Sequence, residues 1–413
     1  MQRIGRGAAH RAGLQGHDPV DMRAQPILLA GITVRMLAEL AVHAGYTVVS
    51  LDYFGDADLR RFCPGISLLR DRNMGYSPEL LVETASELDA RTVVYNASLE
   101  NHPQQVARLA QKRTLLGNTA EALNNVRDVR KLAAVLTTAG FCFPQTTAAG
   151  EKAAGMQHIG RDLDKRWLWK PVRSGGGHSV RAWDNRSVAG EGMLQERLEG
   201  MVGSAAFVAN GEEAVVLGLT KQFVGMELFG ASGFRYCGNI VPPPLPGDEV
   251  QAMLAEVRAI AALLTAEFNL QGLNGLDFIW HEGRVCTIEV NPRPTAAMEL
   301  MESVYDLNLF DAHVQAFSGW LPSFDLGSAL RDGRPHSTSS GQAAAKAILF
   351  AEKEITIGDT SLWFERGIRD IPYPGDRIKK GHPVCSVLAT SATPERCEEK
   401  LAEKVAEVKT WLY

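Results

Sequence analysis

The chain has 413 residues, 45% of them hydrophobic and 22% charged, with a formal net charge of −5 at pH 7. That is enough chain for about two to three packed domains, and the composition excludes disorder as the main state. No apolar run approaches the roughly 20 residues that span a bilayer, and no basic patch offers a polyanion a footing, so neither membrane insertion nor nucleic-acid binding is expected. Small-molecule chemistry is the expectation that remains.

The first 24 residues carry Arg3, Arg6, Arg11 and Arg23 but no apolar core segment, so they do not form a secretory signal. Residues 1–25 are expected to be a flexible tail. Met22 stands directly before the first periodic apolar segment, which suggests translation from that position; N-terminal sequencing of natively expressed protein that found residues 1–21 would refute it. Cysteines at 63, 142, 237, 286, 385 and 397 are too scattered for a CxxC pair and too few for a disulfide framework. They are expected to be reduced, mostly buried thiols of a cytoplasmic protein.

From Pro26 the text PILLAGITVRMLAELAVHAGYTVVSLD is an apolar strand, a turn, a helix with Val34, Leu37, Leu40 and Ala41 on one face, and a second strand. Gly31 is the single glycine of the first turn. The dinucleotide fingerprint is therefore missing, although Asp52 ends the second strand where a ribose-binding acid would sit. A further strand at 92–97 runs into Glu100 and Asn101, which are either substrate-side residues at a strand's carboxyl end or caps of the helix in HPQQVARLAQ. A helix over 126–139 stops at Ala139-Gly140, with Pro144 beyond.

The segment WLWKPVRSGGGHSVRAW delivers Lys170 on a short strand, next to a loop of glycines whose backbone N–H groups can close over an anion. Trp167 and Trp169 are expected in the core and His178 in solvent. LQERLEG follows as a strand edge entering a turn, a place where backbone groups can pair with an adenine edge. LDFIW and VCTIEVN form a hairpin turned at residues 281–284; alternation sets Asp277 on one strand and Glu289 with Asn291 on one face of its partner. Three oxygen donors on neighbouring strands suit Mg²⁺, and a lone Glu289 inside an apolar strand is too costly to be idle.

These residues resemble the ATP-grasp superfamily over about residues 26–413, in a layout similar to biotin carboxylase. The resemblance rests on K-P-x-x-S-G-G-G at 170–177, Q-E-x-L-x-G at 195–200, and Asp277 with the set Glu289, Asn291 and Arg293. It implies an α/β and α+β architecture: a Rossmann-like N-terminal domain at 26–125, a lid with the glycine loop at 126–215, a metal-site subdomain at 216–335, and a C-terminal β element plus helix at 336–413. The Ser-rich stretch 336–342 is the expected linker, and Leu401, Val405, Val408 and Leu412 give the last helix its apolar face.

The same resemblance implies roles. Lys170 binds the α/β-phosphates of ATP, Ser174, Gly175, Gly176 and Gly177 close over the γ-phosphate, and Glu196, Arg197 and Leu198 hold adenine. Asp277, Glu289 and Asn291 bind two Mg²⁺, with Mn²⁺ as a substitute, and Arg293 stabilises the transferred phosphate. A basic residue expected ahead of the loop has three contenders, Arg127, Arg130 and Lys131, of which Lys131 is taken. A ribose-binding carboxylate is not evident in MVGSAAF. Lys221 is assigned to the γ-phosphate or the acid, and Arg235 to a substrate carboxylate.

Biotin carboxylase carries a glutamate base four positions after the metal-site arginine; here that position is Ala297. Alanine cannot act as a base, and Glu299 nearby is expected on a solvated helix face. The leading expectation is therefore a carboxylate–amine ligase working through an acyl phosphate, similar in size and motif to tyramine–glutamate ligase, with small carboxylate and amine substrates and a possible homodimer. A bicarbonate-dependent carboxylase and a non-catalytic nucleotide binder are the alternatives.

Overall fold

The computed structural model describes residues 19–147, 166–173, 175–184, 191–332 and 343–413. Ser174, most of the expected tail and the stretch 336–342 lie outside the described residues. Pro19–Ala24 (α1) is helical, a correction to the irregular tail expected there. The reason is tertiary: Arg23 reaches Asp311 at 2.8 Å and lies over the Tyr46 ring.

The chain then builds a parallel sheet from Ile27–Ala30 (β1), Val48–Asp52 (β2), Gly65–Ser67 (β3), Thr92–Tyr95 (β4) and Thr114–Leu115 (β5), in the order β3-β2-β1-β4-β5. The helices Arg35–His43 (α2), Leu59–Phe62 (α3), Pro78–Thr84 (α4) and Pro103–Ala110 (α5) connect these strands. All four residues of β1 are buried, as a parallel strand covered on both faces requires. Asp52 is buried and accepts a hydrogen bond from the Gly55 amide at 3.1 Å. Strand order reverses between β1 and β4, so their carboxyl ends flank a crevice.

The helix expected over 126–139 is two helices, Ala120–Val126 (α6) and Val129–Thr138 (α7). Asp128 causes the break by accepting hydrogen bonds from the amides of Arg130 and Lys131, which restarts the helix and leaves Arg127 at the joint. A four-stranded lid sheet follows, with Thr146–Thr147 (β6), Trp167–Pro171 (β7), Arg181–Ala182 (β8) and Gly192–Glu196 (β9) in the order β6-β9-β7-β8. Trp167 is buried; Trp169 is half-buried and carries the Arg181 guanidinium over its ring.

The largest sheet is antiparallel. It contains Met201–Asn210 (β10), Ala214–Val224 (β11), Tyr236–Val241 (β12), Gln271–His281 (β13), Arg284–Asn291 (β14), Ala343–Phe350 (β15), Ile368–Arg369 (β17) and Pro383–Ser391 (β19). Ile355–Thr356 (β16) and Arg377–Ile378 (β18) pair beside it. Gly247–Phe268 (α8) buries Val250, Met253, Val257, Ile260 and Leu264 against it, and Met298–Tyr305 (α9), Leu309–Ala316 (α10) and Leu326–Asp332 (α11) extend that core. Pro394–Leu412 (α12) starts at a Thr393 cap and packs Leu401, Val405 and Val408 on β15 and β19.

The cysteine expectation fails for one pair. Cys142 and Cys286 form a disulfide between the segment after α7 and the middle of β14, across a bridge where the Thr287 amide donates to Cys142 O. Their separation of 144 residues hides this proximity from the sequence. Cys63, Cys237, Cys385 and Cys397 are buried thiols. Among the described residues no helix is long and apolar enough to cross a membrane.

Candidate active site

A cavity of about 640 Å³ lies between the N-terminal sheet, the lid and the large sheet. Its floor is the hairpin β13–β14, whose turn at Glu282 and Gly283 takes positive φ at both central residues, as tight hairpins favour. Asp277 stands directly opposite Glu289 in the register, and Asn291 Nδ2 donates to Asp277 Oδ2 at 2.9 Å. The alternation read from the text thus brings the three oxygen-bearing side chains together. Gln222 Nε2 donates to Asp277 Oδ1 at 2.8 Å. Burial and the neighbouring Glu289 carboxylate push Asp277 up to about 6, against the hydrogen bonds that favour its charged form.

Arg293 leaves the end of this floor and is shared three ways. Its Nε donates to Glu100 Oε1 at 2.7 Å, Nη1 to Pro294 O at 2.9 Å and Nη2 to Asn291 Oδ1 at 3.3 Å. Glu100 is buried, and its other oxygen has no hydrogen-bond partner. Asn101 accepts from Arg127 Nη2 at 2.6 Å. Neither residue caps α5, whose N-terminus has no side-chain cap, and neither lines the cavity: Glu100 meets it through Arg293 and Asn101 through Arg127.

Arg127, at the joint between α6 and α7, pairs with Glu289 and lines the cavity. Lys131 does not: its ammonium donates to Asn125 at 2.6 Å on the surface, a correction to its expected place at the phosphate. Arg130 is likewise absent from the cavity lining. Lys170 points from β7 into the cavity and donates to Gln195 Oε1 of β9. Burial lowers its pKa from the usual lysine value, while Glu289 and Asp277 oppose the shift.

Gly175, Gly176 and Gly177 line the cavity, and the Tyr236 amide donates to Gly176 O at 2.9 Å. Gly176 and Gly177 have positive φ, and a Cβ on Gly177 would come within 1.8 Å of Phe234 O, so only glycine fits this approach. His178 is exposed. At the hinge between β9 and β10, Glu196, Arg197 and Leu198 line the cavity beside the apolar walls of Leu168, Met193, Val202, Ile279 and Ile288. The Glu196 amide donates to Gln145 O at 2.8 Å, and Arg197 lies over Phe234.

Two expected site residues point elsewhere. Lys221 forms an ion pair with Glu398 of α12 at 2.7 Å, because alternation along β11 sends 221 to one face and Gln222 to the other. Arg235 donates to Gly381 O at 2.6 Å and stacks on Phe350, away from the cavity that its neighbours Phe234 and Tyr236 line. Glu299 is corrected too: it is buried between Arg35 and Lys346, not on a solvated face. Burial would raise its pKa, but the two cations outweigh it and hold Glu299 below the usual glutamate range. Sequence reasoning missed Gln222, Arg35 and Lys346; the lone lysine inside the apolar strand AAAKAILF offered the same signal that exposed Glu289.

Residues 126–297 match the family described as the ATP-grasp domain. The fold is ATP-grasp. The biotin carboxylase domain of Hydrogenobacter thermophilus 2-oxoglutarate carboxylase is similar with a TM-score of 0.70 and 14% identity, over 91% of this chain and 88% of that one. N5-carboxyaminoimidazole ribonucleotide synthetase from Thermotoga maritima is similar with a TM-score of 0.62 and 15% identity, over 92% and 98% of the two chains. A protein of uncharacterized function from Methanocaldococcus jannaschii is 23% identical over 379 residues, covering 88% of this chain and 87% of its own length. The ATP-grasp segment coincides with the lid and hairpin floor that enclose the cavity.

Proposed function

We propose that the protein is a cytoplasmic ATP-dependent carboxylate–amine ligase, in which ATP phosphorylates a carboxylate and an amine displaces the phosphate to form an amide. The observation that carries this reading is the pairing of an oxygen-donor floor with an alanine at 297 and a committed Glu299, where a carboxylase-like base is expected. Asp277, Glu289 and the Asn291 amide oxygen are hard donors of the kind Mg²⁺ takes, and they stand together at one end of the cavity. Ala297, by contrast, is buried and inert, and Glu299 is committed to Arg35 and Lys346 with a depressed pKa. Neither position supplies the base that a reaction deprotonating bicarbonate needs.

Within this reading Lys170 and Arg127 neutralise the phosphate chain, Gly175 to Gly177 cover its end, and the slot between Leu168, Met193, Val202, Ile279 and Ile288 takes the adenine ring. Mg²⁺ held by Asp277, Glu289 and Asn291 would offset the phosphate charge. Arg293, fixed by Glu100 and Asn291, is placed to stabilise charge that develops on the transferred phosphoryl group. Closure of the glycine loop over the nucleotide would exclude water that hydrolyses an acyl phosphate.

The test is a hydroxylamine screen: full-length protein, Mg-ATP and pools of small carboxylates, with hydroxamates detected by mass spectrometry. A hydroxamate that disappears with Glu289→Gln supports the ligase. ADP release stimulated by bicarbonate alone, without any hydroxamate, supports a carboxylase instead.

A further inference from the structure

Two arginines that line the cavity are anchored in different ways. Arg35 is fully buried and commits all five of its N–H donors to carboxylates: Nε to Asp370, Nη1 to Glu39 and Glu299, and Nη2 to Glu299 and Asp370. Arg127 meets a single carboxylate. Its Nη1 donates to Glu289 and, at 3.4 Å, to Val290 O, while its Nη2 donates to Asn101 Oδ1 at 2.6 Å. The guanidinium is therefore held between β14 and the 3₁₀ turn Leu99–Asn101 that follows β4.

The two anchors do different work. Asn101 is an uncharged amide, so it fixes the position of Arg127 and takes up none of its charge. Burial acts to lower the Arg127 pKa, but attraction to Glu289, and after it to Glu100, outweighs burial and raises it. Glu289 is the partner in contact, and it is also one of the three donors on which the metal reading of the floor depends.

A divalent cation on either oxygen of Glu289 would stand one carboxylate away from the guanidinium. Like charges so close repel strongly where little water lies between them. The surroundings do not offset this: among the described residues Arg127, Lys170 and Arg293 face Asp277, Glu289 and Glu100, so the floor is close to neutral. A bare dication adds charge to a balanced cluster. Nucleotide phosphates reverse the balance, since they offer Arg127 another anion and release Glu289 from its partner.

We propose that Arg127 is the built-in counter-ion of Glu289, and that this ion pair keeps a divalent cation off the floor until nucleotide phosphates draw the guanidinium away. The inference rests on the reading of Asp277, Glu289 and Asn291 as the metal-binding floor, and it adds an order to that reading. Metal alone is refused, and metal with nucleotide is accepted. Without the pair, two neighbouring carboxylates would capture free dications in a place that only a nucleotide makes useful. Metal and nucleotide then each tighten the binding of the other by the same factor, and Arg127 carries that coupling.

The experiment titrates the full chain with Mn²⁺, reading free Mn²⁺ by electron paramagnetic resonance, first alone and then with ADP; binding of AMP-PNP in EDTA is measured by calorimetry. Arg127→Met, and Arg127→Gln, which keeps a donor for Asn101, should bind Mn²⁺ alone about tenfold more tightly than wild type and AMP-PNP in EDTA about tenfold more weakly. Adding Glu289→Gln to Arg127→Met should abolish the gain. Lys170→Met removes the same charge from a side chain that donates to Gln195 and to no floor carboxylate, so it should change the affinity for Mn²⁺ alone less than about twofold. Affinity for Mn²⁺ alone that is unchanged or weaker in both Arg127 variants, nucleotide affinity indifferent to them, or an equal gain in Lys170→Met overturns the proposal. The ADP titration separates the two claims. Mn²⁺ binding with ADP that ignores Glu289→Gln removes the metal floor itself, whereas dependence on Glu289 without a gain in the Arg127 variants removes the counter-ion alone.

Discussion

Two charged clusters at the cavity use charge in opposite ways. At the hairpin floor the carboxylates are incompletely engaged: Glu289 pairs with Arg127 yet leaves 38% of its side chain exposed, and Asp277 is pushed up to about 6 beside it. At the crevice Arg35 is 0% exposed with every donor used, and Glu299 and Asp370 are both held below their usual ranges by the cations around them, despite their burial. Similar residue types therefore serve different ends. Incompletely satisfied charges cost stability and are what a binding site needs, whereas the saturated ones tie α2, α9 and the C-terminal strands into one junction.

This contrast can be broken most sharply at Asp277. Asp277→Asn should lower the rate of ADP formation by about 1000-fold, since in the proposed reading the floor loses a carboxylate that would hold Mg²⁺. It should also raise the thermal midpoint, because burial and Glu289 disfavour the charged form. A midpoint that falls together with the rate would mean that Asp277 holds the fold and not the ligand.

Arg35→Met should behave in the reverse manner, destabilising the chain by about 3–5 kcal/mol in chemical denaturation because several buried carboxylates lose their partner. An unchanged midpoint would contradict the saturated-junction account. His313 offers a smaller effect with a defined pH window. It is buried, accepts from the Leu273 amide through Nδ1, and contacts Leu116 O through Nε2. Burial lowers its pKa to about 4, so its stabilising neutral form is fully present above about 6.5 and is lost as pH falls from there towards 4.

Up to about 3 kcal/mol is at stake over that window. Asp52 and Glu302, pushed up to about 7 by burial, shift total stability the other way, so the difference between wild type and His313→Gln is the readout. That difference should shrink as pH drops from 6.5 to 4; a constant difference contradicts the assignment. The smallest effect belongs to Lys221→Ala. Its ion pair with Glu398 is about one-third exposed on both sides, so the loss should stay within about 1 kcal/mol, with ADP formation changed less than twofold. A large loss of rate would return Lys221 to the active site.

The floor was legible because its residues lie within one hairpin. A strand period of two is enough to put Asp277 against Glu289 and Asn291, and an isolated carboxylate in VCTIEVN announces itself. Arg127 against Lys131 was not legible, since the choice turns on the Asp128 cap and on Glu289, which lies 162 residues away. Lys221 failed for a related reason: alternation allows either face of β11, and the partner that decides it is Glu398 on the last helix. The Cys142–Cys286 bond and the Arg35 junction join segments far apart in the text, and no local period marks them. In Asn96 the sequence offers a common polar residue at a strand end, and only the fold shows that its side-chain oxygen lacks a donor.

The central claim is that a substrate carboxylate is phosphorylated before nitrogen attacks it. Once the hydroxylamine screen has supplied an acid, that acid labelled with ¹⁸O in its carboxylate should be turned over with Mg-ATP and an amine, and the released phosphate weighed by mass spectrometry. The account predicts one ¹⁸O atom in each phosphate, carried across when the C–O bond of the acyl phosphate breaks. Amide formation accompanied by unlabelled phosphate would contradict it.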